Sequence, residues 1–301
     1  MRKVIVFIFG IVFCVVITDI IVGFCCKFYV KNYRLVGRYE PLDRLIKQVD
    51  SDVLLIGNSI ILNSIDPQIV EDSLSLSCYN GGIVGQGIEF SETIIDCILQ
   101  RYTPSKIIIG LRPEEMGNSV GEGIYDILRP YYGLGYKSID EHFEKASDSE
   151  RILLHSNLYR YNTIWARIIL YILFDKTTYS INGYMPHDIP PTLPDLRYIE
   201  CCEQPSENKI ECLERVINKC KNRGIALYVC FPPTFLAFPQ DPVPCVKRVN
   251  EVCIKNNVPC LIYYNDIEFL NNPRLFFDNI HVNNEGASLF TKKIVKNLKY
   301  E

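Results

Sequence analysis

The chain has 301 residues, of which 48% are hydrophobic and 22% are charged, and its formal net charge at pH 7 is −3. This is an ordinary globular composition with an apolar excess at the N-terminus. Because phosphate binding requires clustered Lys and Arg and the sequence has no long basic run, nucleic acid is excluded as an expected partner. Without an N-terminal membrane segment, roughly 260 to 270 residues remain, enough for one large α/β domain or two small ones.

An apolar run over residues 4–26 follows Arg2 and Lys3. At a rise of 1.5 Å per residue it reaches about 34 Å, which is enough to span a bilayer. Its end lacks the small-residue pattern of a cleaved signal peptide, so residues 1–30 are predicted to form an uncleaved membrane anchor. Asp19 lies within the run, where a carboxylate costs about 2.5–3.5 kcal/mol, so we expect it to reach the interface or to face a partner helix.

The sequence carries two opposing indications of the orientation of this anchor in the membrane. Lys27, Lys31, Arg34 and Arg38 follow the span, and a strict positive-inside count would put its C-terminal side in the cytoplasm. Long domains are translocated largely regardless of such charges. We therefore expect a single span with the following domain outside the cytoplasm.

The 13 cysteines are an odd number, so at least one thiol stays free if the others pair. Cys201, Cys202 and the later cysteines could form disulfides, or most cysteines could be small buried hydrophobic side chains. No C-x-x-C repeat with zinc-ribbon spacing occurs, so neither a metal nor another cofactor is expected. Cysteine usage leaves the redox compartment open.

Short apolar strands alternate with helical patterns after a predicted linker over residues 31–50. A helix is predicted to begin at Asp66, with Pro67 in its first turn. The strands are predicted over residues 52–56, 76–79, 106–110, 225–231 and 260–263, and the later helices over residues 88–99, 209–223, 246–256 and 284–298. Strand and helix alternating at this spacing predict a mainly parallel sheet of about five strands.

An insertion is predicted over residues 125–207, within a domain that covers residues 51–301. It contains one or two helices in residues 153–174, of which the apolar stretch 164–174 is too short to span a membrane. Its long loops could form a lid over the sheet edge.

Ser59, Asp278 and His281 are the candidates for chemistry. A serine hydroxyl becomes a nucleophile when a base accepts its proton and a carboxylate orients that base. Ser59 follows a predicted strand, where parallel sheets bind ligands, although serine is also common in plain turns. Of the four histidines, His281 alone has a carboxylate three residues before it, at Asp278. That spacing also suits a surface loop in which the aspartate caps a turn.

Taken in order along the chain, these segments resemble the SGNH/GDSL hydrolase superfamily. Residues 52–59 are similar to its first block, with Asn58 where the family name has Asp. Asn80 and Gly85 match the second block, and residues 278–281 match the last one, near the C-terminus. The resemblance covers the region from residue 51 onward, with the middle matched only loosely.

Residues 57–61 and 111–115 are similar to the membrane-anchored bacterial branch associated with cell-envelope polysaccharide modification. The resemblance implies a flavodoxin-like, three-layer α/β fold in a single-pass protein of the bacterial inner membrane. It also implies action on acyl, above all acetyl, esters of envelope carbohydrate, with a membrane acyltransferase as a partner.

The resemblance further implies a Ser–His–Asp triad. Ser59 would attack an ester carbonyl, His281 would take the serine proton, and Asp278 would hold the imidazole tautomer. The oxyanion would lie against the backbone N–H groups of Ser59 and Gly85.

One block departs from the family pattern. The third block supplies an Asn side chain to the oxyanion hole as Gly-x-Asn-Asp, but residues 110–113 read Gly-Leu-Arg-Pro. Loss of one such donor costs about 10²- to 10³-fold in rate. Either Arg112 or Asn80 supplies the missing support, or catalysis is weak, or this branch does not hydrolyse esters. Arg112 also suits a surface ion pair with Glu114 or Glu115.

Two hypotheses of different classes follow. The first is a serine esterase or O-acyltransferase that acts through an acyl-enzyme on Ser59. The second is a non-catalytic envelope component that keeps the fold and binds a glycan or a membrane acyltransferase. A dinucleotide site in the Gly-rich segment 81–87 is disfavoured because its spacing is not G-x-G-x-x-G.

Overall fold

The computed structural model describes residues 2–35, 37–119, 123–162, 164–174 and 182–298. These residues fall into two compact units. Unit 1 comprises Met1–Asp43 and Ile124–Thr178, and unit 2 comprises Arg44–Gly123 and Tyr179–Glu301.

The helices and strands are numbered here in chain order. The α-helices are α1 (Arg2–Asn32), α2 (Glu40–Lys47), α3 (Ser59–Ser64), α4 (Pro67–Leu74), α5 (Ile88–Leu99), α6 (Ile124–Leu128), α7 (Lys137–Glu144), α8 (Asp148–Leu153), α9 (Asn157–Arg160), α10 (Ile164–Phe174), α11 (Glu207–Asn222), α12 (Pro244–Lys255), α13 (Ile267–Leu270) and α14 (Asn284–Leu298). The strands are β1 (Val53–Gly57), β2 (Cys78–Gly82), β3 (Lys106–Gly110), β4 (Arg197–Tyr198), β5 (Ala226–Phe231), β6 (Leu236–Ala237) and β7 (Cys260–Ile262).

Unit 2 is built on a five-stranded parallel sheet in the order β2-β1-β3-β5-β7, with β4 and β6 paired separately. Helices α3, α4 and α14 pack together on one side of the sheet, and α5, α11 and α12 pack together on the other. The predicted fold class, a three-layer α/β sandwich with about five parallel strands, is confirmed. The order reverses between β1 and β3, and ligands of such sheets bind outside the carboxyl ends of the strands at that point.

Strand β2 ends later than predicted. The strand was expected over residues 76–79, because Asn and Gly are depleted in strands. Instead Asn80, Gly81 and Gly82 continue β2 and pair with the end of β1, where Gly82 lies opposite Gly57. Small residues are needed here, since a Cβ on Gly82 would lie 2.5 Å from the backbone nitrogen of Leu62 in α3.

Local capping explains the ends of several helices. The Asp66 side chain accepts a hydrogen bond of 2.9 Å from the Gln68 N–H, and Pro67 occupies the first turn of α4, as predicted. Gly224 follows α11 with a φ of +69°, a left-handed conformation that glycine adopts without steric cost. The 13 cysteines form no disulfides among the described residues, and most are buried, which agrees with their interpretation as small hydrophobic side chains.

Unit 1 consists of helices. The predicted insertion over residues 125–207 contributes α6 to α10 to this unit, whereas its C-terminal part belongs to unit 2. The predicted linker over residues 31–50 contains helix α2, whose Leu42 and Leu45 are fully buried. The sequence did not reveal that these leucines form one apolar face of a helix, because the segment is short and half of its residues are charged.

Candidate active site

Ser59 is the first residue of helix α3 and directly follows the end of β1. The preceding Asn58 caps the helix, and its Oδ1 accepts a hydrogen bond of 2.7 Å from the N–H of Ile60. Asn is, like Asp and Ser, a favoured residue at the N-cap of a helix. The Ser59 side chain is therefore held at the carboxyl edge of the sheet by strand, turn and cap together.

Glycines at the ends of three adjacent strands let α3 pack directly against the sheet. Gly57 lies opposite both Gly82 and Gly110 in the strand register. A Cβ on Gly110 would lie 1.9 Å from Cγ1 of Ile61, and one on Gly57 would lie 2.5 Å from the carbonyl oxygen of Gly110. Larger side chains would push α3 away from the sheet and shift Ser59 with it.

Asp278 and His281 lie on one tight loop before α14. The Asp278 Oδ1 accepts hydrogen bonds from the backbone N–H groups of Ile280 (2.7 Å) and His281 (2.8 Å). The loop closes on itself, since the Phe277 N–H donates to the carbonyl of His281 at 2.8 Å. Asn283 then caps α14 by accepting from two backbone N–H groups of its first turn. The aspartate thus caps a turn, and the same turn brings its carboxylate to the histidine ring.

Ser59, His281 and Asp278 form a continuous hydrogen-bonded chain. The Ser59 Oγ lies 2.8 Å from Nε2 of His281, and the His281 Nδ1 lies 2.9 Å from Oδ2 of Asp278. Burial opposes ionisation of Asp278, but hydrogen bonds from His281 and from two backbone N–H groups outweigh it and lower the Asp278 pKa to about 2. The carboxylate is therefore charged at neutral pH, as required of a group that orients an imidazole.

Behind Ser59, a buried polar network joins Asn58 to the loop after β3. The Asn58 side-chain amide donates to Oε2 of Glu115, and the same oxygen accepts from the backbone N–H of Arg112 at 3.0 Å. Lys209 donates to the backbone carbonyls of Glu115 (2.9 Å) and Gly117 (3.2 Å). Buried carboxylates and amides are costly unless bonded in this way. Asn58, directly before Ser59, is thus anchored by the carboxylate of Glu115 on the loop after the neighbouring strand β3.

Within the part of the chain that the structure describes, the backbone N–H groups of Ser59 and Gly85, the two expected oxyanion donors, have no hydrogen-bond acceptor. Ser59 lies in the first turn of α3, where an N–H has no intrahelical acceptor. Gly85 lies in a turn with a φ of +75° and no heavy atom within 4 Å of a Cβ built on it. A carbonyl approaching Ser59 can use the first of these N–H groups directly.

Asn80 is hydrogen-bonded to the backbone at the end of α3. Its fully buried side-chain amide donates to the carbonyls of Ile61 (2.8 Å) and Ile65 (2.9 Å), and its Oδ1 accepts from the Gly82 N–H at 3.0 Å. Both amide hydrogens are therefore used to hold the end of α3.

Arg112 lines a cavity beside the triad. Arg112 contacts Glu115 through its backbone alone, since its N–H donates to the Glu115 carboxylate at 3.0 Å and its carbonyl accepts from the Glu115 N–H at 3.1 Å. Within the described residues the Arg112 guanidinium forms no ion pair, so the expected surface ion pair with Glu114 or Glu115 is absent. Arg112, Thr234 and Ile280 are among the residues that line a cavity of about 190 Å³. Since Ile280 lies between Asp278 and His281, this cavity adjoins the loop that carries both residues.

A second histidine lies beside the triad and was missed in the sequence. The ring of His187 stacks on Phe277 at 4.2 Å, with its centroid 6.2 Å from that of His281. Burial and the neighbouring His281 lower the His187 pKa, against the opposing influence of Asp278 and Asp188. No carboxylate at a recognisable spacing marks His187 locally, and its neighbours come from residues nearly 100 positions away. Among the described residues, no group of three His, Cys, Asp or Glu side chains could hold a metal ion.

No protein-family model and no curated protein matches this sequence. Solved structures that are similar include a lipase/acylhydrolase from Enterococcus faecalis, with 14% identity, a TM-score of 0.42, and coverage of 82% of this chain and 94% of that one. An acetyl xylan esterase, AlAXEase, has 14% identity, a TM-score of 0.43, and coverage of 82% and 98%. A mutant of an acetyl-xylooligosaccharide esterase from Geobacillus has 12% identity, a TM-score of 0.41, and coverage of 83% and 95%. These are distant similarities.

Proposed function

We propose that this protein is a serine esterase or O-acyltransferase of the SGNH/GDSL type, with Ser59, His281 and Asp278 as its catalytic residues. The observation that carries the proposal is the hydrogen-bonded chain from the Ser59 Oγ through both ring nitrogens of His281 to Asp278, with contacts of 2.8 and 2.9 Å. This is the arrangement that activates a serine hydroxyl towards an acyl carbon.

The reaction proceeds in two acyl transfers. The Ser59 Oγ attacks the ester carbonyl while its proton passes to Nε2 of His281, and the resulting imidazolium is stabilised by Asp278. Collapse of the tetrahedral intermediate breaks the bond to the leaving alcohol, which takes the proton from His281. Water or a sugar hydroxyl then attacks the acyl-enzyme with His281 again as the base, and Ser59 regains its proton. Water gives hydrolysis, and a sugar hydroxyl gives O-acyl transfer.

The oxyanion of each intermediate is assigned to the backbone N–H groups of Ser59 and Gly85. In the family, the loop after β3 supplies an Asn side chain, but residues 110–113 read Gly-Leu-Arg-Pro here. The Asn80 amide already donates to the carbonyls of Ile61 and Ile65. With one donor fewer, the rate is expected to be about 10²- to 10³-fold lower than with a complete oxyanion hole. Arg112, at the adjoining cavity, is the cation best suited to compensate.

The proposed substrates are acyl esters of cell-envelope carbohydrate, with acetyl as the leading acyl group. The motif resemblance of residues 57–61 and 111–115 supports this substrate class. The same resemblance supports a single-pass protein of the bacterial inner membrane with a membrane acyltransferase as its partner. The domain after the span is proposed to lie outside the cytoplasm, because long domains are translocated largely regardless of flanking charges.

The second candidate function is a non-catalytic envelope component that binds a glycan or an acyltransferase. The observation that favours it is the absence of the third oxyanion donor from the loop after β3. The two candidates differ in whether Ser59 reacts.

The test is labelling of the detergent-solubilised full-length protein with a fluorophosphonate serine probe. Wild type should label, and Ser59→Ala and His281→Ala should abolish labelling. Ser206→Ala, which removes a hydroxyl that makes no capping bond to α11, and His155→Ala, on an exposed side chain, are the matched controls and should label like wild type.

A wild-type protein that is folded by circular dichroism and does not label would reject the esterase and leave the binding component. If it labels, incubation with an acetyl ester and a sugar acceptor separates the two enzymatic outcomes. An acetylated sugar indicates a transferase, and acetate alone indicates a hydrolase.

A further inference from the structure

Helix α1 in unit 1 has two distinct parts. The large apolar side chains from Val4 to Ile17 are between 40% and 71% exposed, on every side of the helix. From Asp19 onward one side is covered, and Gly23, Cys26 and Val30 on that side are buried. The spacing of three and four residues defines a single packing face. The part of α1 before Asp19 is thus an apolar helix with exposed side chains, and the part from Asp19 onward packs within unit 1.

Asp19 joins α1 to α9. Its carboxylate accepts hydrogen bonds from the Ser156 Oγ (2.7 Å), the Asn157 Nδ2 (3.0 Å) and the backbone N–H of Leu158 (2.8 Å). The last of these is a first-turn N–H of α9, so Asp19 acts as a capping group supplied by another helix. A carboxylate in an apolar helix is expensive unless it is satisfied in this way.

Gly23 lets the two helices approach closely. A Cβ at this position would lie 2.3 Å from Cγ of Asn157, whereas one at Gly10 would have no heavy atom within 4 Å. Small residues at helix contacts within membranes allow such close packing. Asp19 and Gly23, one turn apart, therefore form one docking point for α9.

This docking point lies at the edge of the hydrocarbon layer if α1 spans a bilayer. About 20 helical residues cross that layer, so a span that begins at Val4 ends near Gly23. At 1.5 Å per residue, Asp19 is then about 6 Å inside the layer. Helix α10 begins four residues after α9 ends and also contacts α1, so it starts at the level of the membrane surface.

Helix α10 exposes apolar side chains at this level. Trp165, Ile169, Leu170, Leu173 and Phe174 are between 45% and 66% exposed, and Ile152 at the end of α8 is 70% exposed. An apolar helix of 11 residues is too short to cross a bilayer. A helix of this length that is not buried in a core suits the membrane interface, where Trp is enriched.

We propose that α10 is a second membrane-binding element of this protein, which lies in the bilayer interface beside the retained span α1. The partner is a lipid bilayer, because α10 directly contacts α1 and its exposed apolar face therefore continues the exposed apolar surface of α1. The Asp19–α9 hydrogen bonds hold α10 at the depth of the interface. The proposal also requires that α1 is not removed as a signal peptide, since Asp19 and Gly23 are part of the unit 1 fold. It does not depend on the reactivity of Ser59.

Trp165 is the only tryptophan in the chain, so its fluorescence reports α10 without labelling. The full-length protein is reconstituted into vesicles of phosphatidylcholine and phosphatidylglycerol, with and without lipids brominated on the acyl chain. The expected result is a blue-shifted emission that loses most of its intensity in the brominated vesicles. Quenching should be stronger for bromines near the headgroup than for bromines at the chain end, since an interfacial helix is shallow.

Variants of the exposed face make the test specific. Leu170→Glu and Leu173→Glu retain Trp165 and should strongly reduce its quenching, because carboxylates disfavour insertion. Ile254→Glu changes a side chain of α12 that is 67% exposed and should leave quenching unchanged. Since all three positions are on the surface, each variant is expected to fold, which circular dichroism checks.

Three results would overturn the proposal. Trp165 emission that is red-shifted and unaffected by brominated lipid would mean that α10 faces water. Blue-shifted emission without quenching would mean that protein covers α10, and its dependence on the protein-to-lipid ratio would identify a second copy as the cover. Loss of α1 from the mature membrane protein, detected by N-terminal sequencing, would remove the span on which the argument rests.

Discussion

Asp278 in unit 2 and Asp19 in unit 1 both accept several hydrogen bonds, but the donors lie close to Asp278 in the sequence and far from Asp19. Each carboxylate accepts hydrogen bonds from one backbone N–H or more and from a side chain. The partners of Asp278 are Ile280 and His281, two and three residues away, whereas those of Asp19 lie between 137 and 139 residues away. A short-range partnership leaves a recognisable spacing in the sequence, and a long-range one leaves only an unexplained charge in an apolar run.

The two aspartates also differ in what their burial achieves. Asp278 keeps a charge beside a histidine that contacts Ser59, so its effect should be on reaction rate. Asp19 satisfies the first turn of α9, so its effect should be on the stability of unit 1. Substitutions at both positions test this division between chemistry and architecture.

The largest expected effect is that of Asp278→Asn on the rate of fluorophosphonate labelling. An amide in place of the carboxylate favours the wrong imidazole tautomer, so the rate should fall about 10⁴-fold while the fold is kept. Asp195→Asn is the matched control, because its backbone carbonyl rather than its side chain contacts Asn279. A rate that stays within a few-fold of wild type would contradict the role assigned to Asp278.

The next effect concerns the packing that holds Ser59. Gly110→Ala places a Cβ against Ile61 and should destabilise unit 2 by about 1–3 kcal/mol, as overpacking does. Urea unfolding measures this, and the labelling rate should fall as α3 shifts. The control is Gly123→Ala, where the nearest atom lies at an ordinary distance of 3.6 Å.

A double variant sharpens the Gly110 prediction. Ile61→Ala removes the atoms that the new Cβ would meet, so the two substitutions together should cost less than their separate effects combined. Additive costs would mean that Gly110 is required for another reason.

Asp19→Ala is expected to loosen unit 1 without affecting labelling of Ser59. It leaves the donors of Ser156, Asn157 and Leu158 without this acceptor, at a cost of about 1–3 kcal/mol if they stay buried. Limited proteolysis of the reconstituted protein should show faster cleavage around α9. Thr18→Ala, which removes only a bond to the preceding turn of α1, should leave cleavage unchanged.

The smallest effect is a pH-dependent one between α5 and α11. Burial opposes ionisation of Glu92, but hydrogen bonds from Arg215, Cys212 and Lys219 outweigh it and lower its pKa to about 2. A pKa lowered by folding stabilises the protein above the unfolded value, near 4.5, and this contribution is lost as the pH falls towards 2. Since Arg215 is half exposed, Glu92→Gln should cost less than about 1 kcal/mol at neutral pH.

Chemical unfolding at a series of pH values measures this difference. The free energies of wild type and Glu92→Gln should converge as the medium becomes acidic. Curves that stay parallel would show that the ion pairs with Arg215 and Lys219 contribute nothing to stability.

Much of unit 2 could be predicted because its signals are local. Helix α5 and strand β3 have the predicted bounds, since a continuous apolar pattern between polar ends is visible without tertiary information. Strand β2 was predicted wrongly because Asn80 and Gly82 disfavour strands locally, and only the approach of α3 explains why they extend one. The hydrogen bonds of the Asn80 side chain could not be predicted for the same reason, since its partners Ile61 and Ile65 are close only in the folded protein.

The sequence by itself determined the order of strands and helices in unit 2, the apolar span of α1, and the pairing of Asp278 with His281. Each of these depends on residues close together in the chain, where periodicity and turn spacing are informative. Only the tertiary structure decided the distance of 2.8 Å between Ser59 and His281, that Arg112 lines a cavity, that His187 lies beside His281, and that Asp19 caps α9. These contacts join residues far apart in the chain, and their geometry follows from packing around glycines and buried polar groups that no local pattern records.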